Sequence, residues 1–165
     1  MENENINNEI NINKIFEEAI KDPSLFSTID IEKLLNTLET DKNDYLESKT
    51  MQSIIDEIYE TVYRQIPTLT TVQAVCKKLA GYRYVDEINE LHKGKHVRWI
   101  RNNGDTLTNG GIVVDIKFLD NGTQVMCKNS MNRFIQYKFD ECITFQKLTT
   151  DEQLILMAYE HTQSN

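Results

Sequence analysis

The chain has 165 residues, of which 39% are hydrophobic and 27% charged, and a formal net charge of −8. That balance excludes a disordered polymer, and no run approaches the roughly 18 apolar residues of a membrane-spanning helix. The charge is uneven: residues 1–92 carry 9 basic against 18 acidic side chains, residues 93–147 carry 9 against 5, and residues 148–165 carry none against 3. A basic middle therefore lies between acidic flanks, as in a protein whose two layers do different work or whose flank masks the middle electrostatically.

The opening residues, MENENINNEININ, lack the basic and apolar parts of a secretory leader. Cys76, Cys127 and Cys142 are odd in number and show no paired spacing. Both features point to reduced thiols in a cytosol-like compartment, not to secretion. Residues 1–9 read as a disordered tail. From Ile10 the apolar residues Ile12, Ile15, Phe16, Ala19 and Ile20 recur at helical spacing, and Asp22-Pro23 ends the pattern. Ile31, Leu34, Leu35 and Leu38 predict a second helix, with Ser27, Thr28 or Asp30 as its N-cap.

Met51, Ile54, Ile55, Ile58, Tyr59, Val62, Tyr63 and Ile66 form a broad amphipathic stripe that Pro67 terminates. Thr70 with Gln73 reads as a capping box for a fourth helix, and Gly81 as its C-cap. Residues 10–80 thus predict an acidic helical module. After Tyr82 the period falls to two. Val97 and Trp99, then Ile112, Val114 and Ile116, then Val125 and Cys127, then Ile135 and Tyr137, then Ile143 and Phe145 predict five short strands. Asp120-Asn121-Gly122 marks a tight hairpin. Residues 81–148 read as a small antiparallel barrel. A capping box at Thr149 and Glu152 opens a C-terminal helix over 149–165. The fold class is α+β.

The pieces GKHVRWI, GGIVVDIKFLDNG, TQVMCKN and RFIQYKFDECITF resemble, in their order, an SH3-like or Tudor-like barrel. The stretches GYRYVDEINELHKGKHVRWI, LTNGGIVVDIKF and ITFQKLTTDE resemble a family of uncharacterised proteins from giant nucleocytoplasmic DNA viruses, over residues 81–160. That resemblance implies a viral protein of the host cytoplasm or virus factory, with packaging in the virion left open. It carries no activity.

Alternation places Arg98, Lys117, Lys128 and Lys138 on the outward face of successive strands, with Lys95, Arg101 and Arg133 at strand ends nearby. This set could contact phosphates or a protein partner. Trp99 alternates inward, and with Tyr82 and Tyr84 it forms a candidate aromatic groove of the Tudor type. Ile58, Tyr59, Val62 and Tyr63 are candidates for self-association. His92 and His96 stand four apart, but in a loop running into a strand, which breaks metal-binding geometry; the segment Asp41–Asp44 fails the calcium-loop pattern at Leu46 and Gln52. No cofactor, metal or catalytic constellation emerges. The expected function is non-enzymatic: helices for assembly, a barrel for partner contact, and weak nucleic-acid binding as the alternative.

Overall fold

The computed structural model describes residues 12–27, 30–38 and 41–163, so the expected tail at 1–9 and the candidate cap Thr28 lie outside the described residues. The chain is α+β, with helices before and after one antiparallel sheet. Two compact units divide it, one from residues 1–50 and 150–165, the other from residues 51–149.

The first unit contains α1 (Ile12–Lys21), α2 (Ile31–Leu38) and α5 (Thr150–Gln163). Asp22 stops α1 by turning its carboxylate onto the backbone N–H and hydroxyl of Ser24, bonds that hold its carboxyl below the ordinary value. Asp30 is the cap of α2, accepting the N–H of Lys33. Ala19, Phe26, Leu34, Leu38 and Leu46 are buried, as are Leu154, Ile155, Leu156 and Ala158 of α5. Glu152 is buried in the first turn of α5, where the helix dipole favours a carboxylate, and it accepts the Tyr45 hydroxyl at 2.6 Å.

The second unit contains α3 (Met51–Gln65), α4 (Leu69–Lys78) and six strands: β1 (Tyr82–Val85), β2 (His96–Arg101), β3 (Gly111–Leu119), β4 (Gly122–Lys128), β5 (Phe134–Lys138) and β6 (Cys142–Lys147). The expected box at Thr70 and Gln73 is not the start of α4: Thr68 is the N-cap and makes no side-chain capping bond. The strand order is β1-β6-β2-β3-β4-β5, all antiparallel. The ladder stays open, with β1 and β5 as its edges, so it does not close as the expected barrel would.

One face of the sheet carries the core of Val85, Leu91, Val97, Trp99, Val113, Val125, Cys127 and Tyr137. The ring of Trp99 stacks on Tyr137 at 4.1 Å. Of the residues of opposite parity, Ile100 on β2 and Phe145 on β6 are also fully buried, and Tyr82, Tyr84, His96, Arg98 and Ile143 are half-buried. They belong to the side on which α3 packs against β1, where the Gln65 amide donates to the carbonyls of Arg101 and Gly104. This half of the sheet is therefore covered on both faces.

Strand β3 departs from simple alternation. Val113 faces the core, whereas Ile112 and Val114 are exposed. A bulge between Val113 and Asp115 then resets the register, so that Ile116 packs inward and Lys117 outward. Alternation alone would turn Ile112, Val114 and Ile116 inward together; of the three, only Ile116 packs on the core. Gly110, at φ +69°, precedes this strand; a Cβ there would lie 1.7 Å from the Val97 carbonyl oxygen. Only glycine permits that approach.

Strand β1 lies outside the five strands that alternation predicts. It places Arg83 at 1% exposure, with its guanidinium donating to the Glu90 carbonyl and to Gln146 Oε1. Gln146, equally buried, accepts the His92 N–H at 2.9 Å through the same oxygen and donates its Nε2 to the His92 carbonyl at 2.7 Å and the Lys95 carbonyl at 3.5 Å.

Two outcomes follow for stability. Residues 51–149 expressed alone should melt cooperatively, whereas residues 81–160, lacking α3 and α4, should not, because Ile100 and Phe145 would meet water; a cooperative melt of the shorter piece would refute this division. Gln146→Ala should destabilise the full chain by about 2–4 kcal/mol in urea unfolding, since it strands several buried polar groups at once. A loss below about 1 kcal/mol would show that water replaces the amide.

Candidate partner-binding surface

No side chain on the outer side of β3, β4 and β5 is buried. Its rows follow from the register. Ile112, Lys128 and Phe134 lie side by side across the three strands; Asp115, Met126 and Gln136 form the next row, and Lys117, Gln124 and Lys138 the third. Phe134 is 67% exposed, Met131 in the adjoining turn 69%, and Ile112 47%. Exposed apolar side chains grouped this way mark contact surfaces, in contrast to single ones.

The cations expected on this face are only partly brought together. Lys117, Lys128 and Lys138 are there. Lys138 stands 4.0 Å from Glu141, and Lys93 pairs with Asp115 at 3.5 Å, so acidic groups cut the positive field. Arg133 sits in the β4–β5 turn, where the Asn129 side chain accepts its backbone N–H. Lys95 lies in the loop before β2, exposed, its carbonyl accepting the Val113 N–H.

Arg98 does not belong to the outer set. It has the expected parity, but on β2 that side is the covered half. Its Nε donates to the Thr108 carbonyl at 2.8 Å, and a terminal nitrogen reaches the Lys78 carbonyl at the end of α4, at 3.4 Å. The guanidinium thus tethers a loop and a helix terminus. Arg101, at the end of β2, is exposed and lines a groove of about 830 Å³ with Asn102, Gln136, Tyr137, Lys138 and Glu141.

The three aromatics of the expected groove do not converge. Trp99 is in the core against Tyr137. Tyr82 and Tyr84 are on β1 with the opposite parity. The Tyr82 hydroxyl meets His96 Nδ1 at 2.8 Å, and Tyr84 leans on Phe145. Burial raises the Tyr82 hydroxyl, an effect that Arg98 opposes. No open cage is formed by these three rings.

The self-association set also separates. Ile58 and Val62 are buried and hold α3 in its unit, so they present nothing to a second copy. Tyr59 and Tyr63 are exposed, stack on each other at 6.2 Å, and continue as a stripe to exposed Ile55. Cys127 is sealed in the core, where burial pushes its thiol up to about 12; a thiol so held is no nucleophile. No cluster of metal-ligating side chains, and no helix long and apolar enough to cross a membrane, occurs among the described residues.

No family model, curated protein or solved structure matches the chain.

His96 offers a pH readout of the covered half. Burial, followed by Arg98 and Lys147, holds its imidazole below the ordinary value. On unfolding it returns to about 6.5, so below that pH the unfolded chain takes up a proton that the folded chain refuses. Stability should therefore fall as pH drops through the window just below about 6.5, and His96 should contribute no pH dependence above about 7. Urea midpoints at about pH 7 and pH 5.5 should fall further for the natural protein than for His96→Gln. Equal falls would remove His96 from the account.

Proposed function

We propose that this protein is a non-enzymatic interaction protein whose second unit binds a protein partner through the outer face of β3, β4 and β5. The observation that carries this reading is the row Ile112, Lys128 and Phe134: apolar groups flanking a cation on the uncovered half of a sheet whose other half is covered on both sides. Such a row matches an apolar patch rimmed with acidic groups. The unit itself carries 13 basic against 11 acidic side chains, while the rest of the chain carries 5 against 15.

The strand order β6-β2-β3-β4-β5, with a short 3-10 turn at Phe139–Glu141 before β6, supports the resemblance to SH3-like and Tudor-like barrels, with β1 as an added edge. The viral resemblance of residues 81–160 supports an infected cell as the setting. Assembly, the second role, would rest on the Ile55, Tyr59 and Tyr63 stripe of α3. Nucleic-acid binding remains the second reading because Phe134 lies between Lys128 and Arg133, as a base-stacking ring between phosphate contacts would.

Cross-linking of the full chain in cell lysate, with and without nuclease, separates the two. Cross-links from Lys117, Lys128 and Lys138 should survive nuclease and disappear in the Ile112→Asp, Phe134→Asp double variant. Loss of the cross-links on nuclease treatment, or on raising salt alone, would give the face to nucleic acid. Cross-links indifferent to the double variant would remove the face from the function.

A further inference from the structure

Strand β5 ends the sheet and is paired only on its β4 side. The hairpin fixes which of its backbone groups are left over. Asn129 donates its N–H to the Arg133 carbonyl, which makes that pair hydrogen-bonded. In an antiparallel ladder such pairs alternate with non-bonded ones. Ile135 and Tyr137, two and four residues on, therefore direct their N–H and C=O groups at β4. Phe134, Gln136 and Lys138 direct theirs away from the sheet.

Natural edge strands are usually blunted by a central lysine, a proline or a bulge. Phe134–Lys138 reads FIQYK, with its one charge at the far end and a regular register throughout. Gln136, Tyr137 and Lys138 of this strand line the groove of about 830 Å³, together with Asp140, which accepts the Thr123 N–H, and Glu141, which stands 4.0 Å from Lys138. Arg101 lines the same groove. No ion pair or hydrogen bond of its guanidinium occurs among the described residues; burial raises the neighbouring Cys142 thiol, an effect that Arg101 only opposes. An unpaired guanidinium in a groove that an open strand edge also lines matches an extended chain that brings a carboxylate.

We infer that β5 is completed by an extended peptide segment of a partner protein, added as a seventh strand, with an Asp or Glu side chain bound by Arg101. Backbone bonds to Gln136 supply the affinity, and the Arg101 pair supplies selectivity for acidic sequences. This rests on reading the unit as an interaction module, but through the β5 backbone and Arg101 instead of the outer-face side chains.

The probe is a short fluorescein-labelled peptide alternating valine with glutamate, and the protein is the full chain. Anisotropy should report saturable binding, and amide shifts should move chiefly at Phe134–Lys138 and Arg101. A peptide with lysine in place of glutamate should bind about tenfold more weakly or not at all, as should the glutamate peptide to Arg101→Glu. Gln136→Pro removes one outward N–H without touching the β4 ladder, a change edge strands tolerate. It should abolish binding while the urea midpoint stays near that of the natural chain. If Gln136→Pro proves unfolded, the amide shifts and Arg101→Glu decide alone. No binding of the glutamate peptide, equal binding of the lysine peptide, or shifts confined to the Ile112, Lys128 and Phe134 row would overturn the inference. Ile112→Asp, which lies off the β5 edge, should leave peptide binding intact. Loss of cross-links in the double variant beside absent peptide binding would sink the added strand alone; persistence of both would sink only the outer-face reading.

Discussion

The second unit depends on one buried side-chain amide. Gln146 lies on β6, between β1 and β2, and its two polar atoms meet both the N–H and the C=O of His92. Through Arg83 the same contact extends to the Glu90 carbonyl. The connection between β1 and β2 is irregular backbone, and its polar groups need partners once they are covered. Gln146 and Arg83 provide them. A glutamine and an arginine buried in place of apolar groups weaken the core, but they hold the loop in one position. That position puts Leu91 over the sheet and completes the core around Trp99.

From that constraint comes the division of the sheet into a sealed half and an open half. On β1, β6 and β2 both faces are filled, and even Arg98 is spent on backbone carbonyls. On β3, β4 and β5 only the inner face is filled. The open half collects what the sealed half cannot show: exposed aromatic and aliphatic groups, three lysines, and an unpaired edge. An interaction protein needs a rigid element to present a surface, and a sheet clamped from both sides along one half is such an element.

Periodicity made much of this legible. The helices at Ile12, Ile31, Met51 and Thr150, the hairpin at Asp120, and the inward course of Val97, Trp99, Val125, Cys127, Ile135 and Tyr137 all follow from spacing. Three features were hidden for physical reasons. Strand β1 carries arginine where the pattern demands an apolar residue, and only the fold brings Gln146 to satisfy it. The bulge in β3 shifts side chains by one position, which no alternating reading detects. Alternation also assigns a face without saying what covers it. Arg98 and Lys117 therefore looked equivalent in the sequence, and only the helices distinguish them. The same blindness put Ile58 and Val62 among surface candidates, when the exposed edge of that stripe is Ile55, Tyr59 and Tyr63.

The discontinuity of the first unit bears on how the protein is made. Its buried leucines at positions 34, 38 and 46 emerge from the ribosome before the second unit, but α5, which supplies Leu154, Ile155 and Leu156, emerges after it. The intervening residues 51–149 form the larger set of internal contacts and can condense without either end. Folding can therefore run from the inside out: the sheet unit forms while α1 and α2 wait with their apolar faces uncovered, and their core closes only after α5 has followed the whole sheet unit.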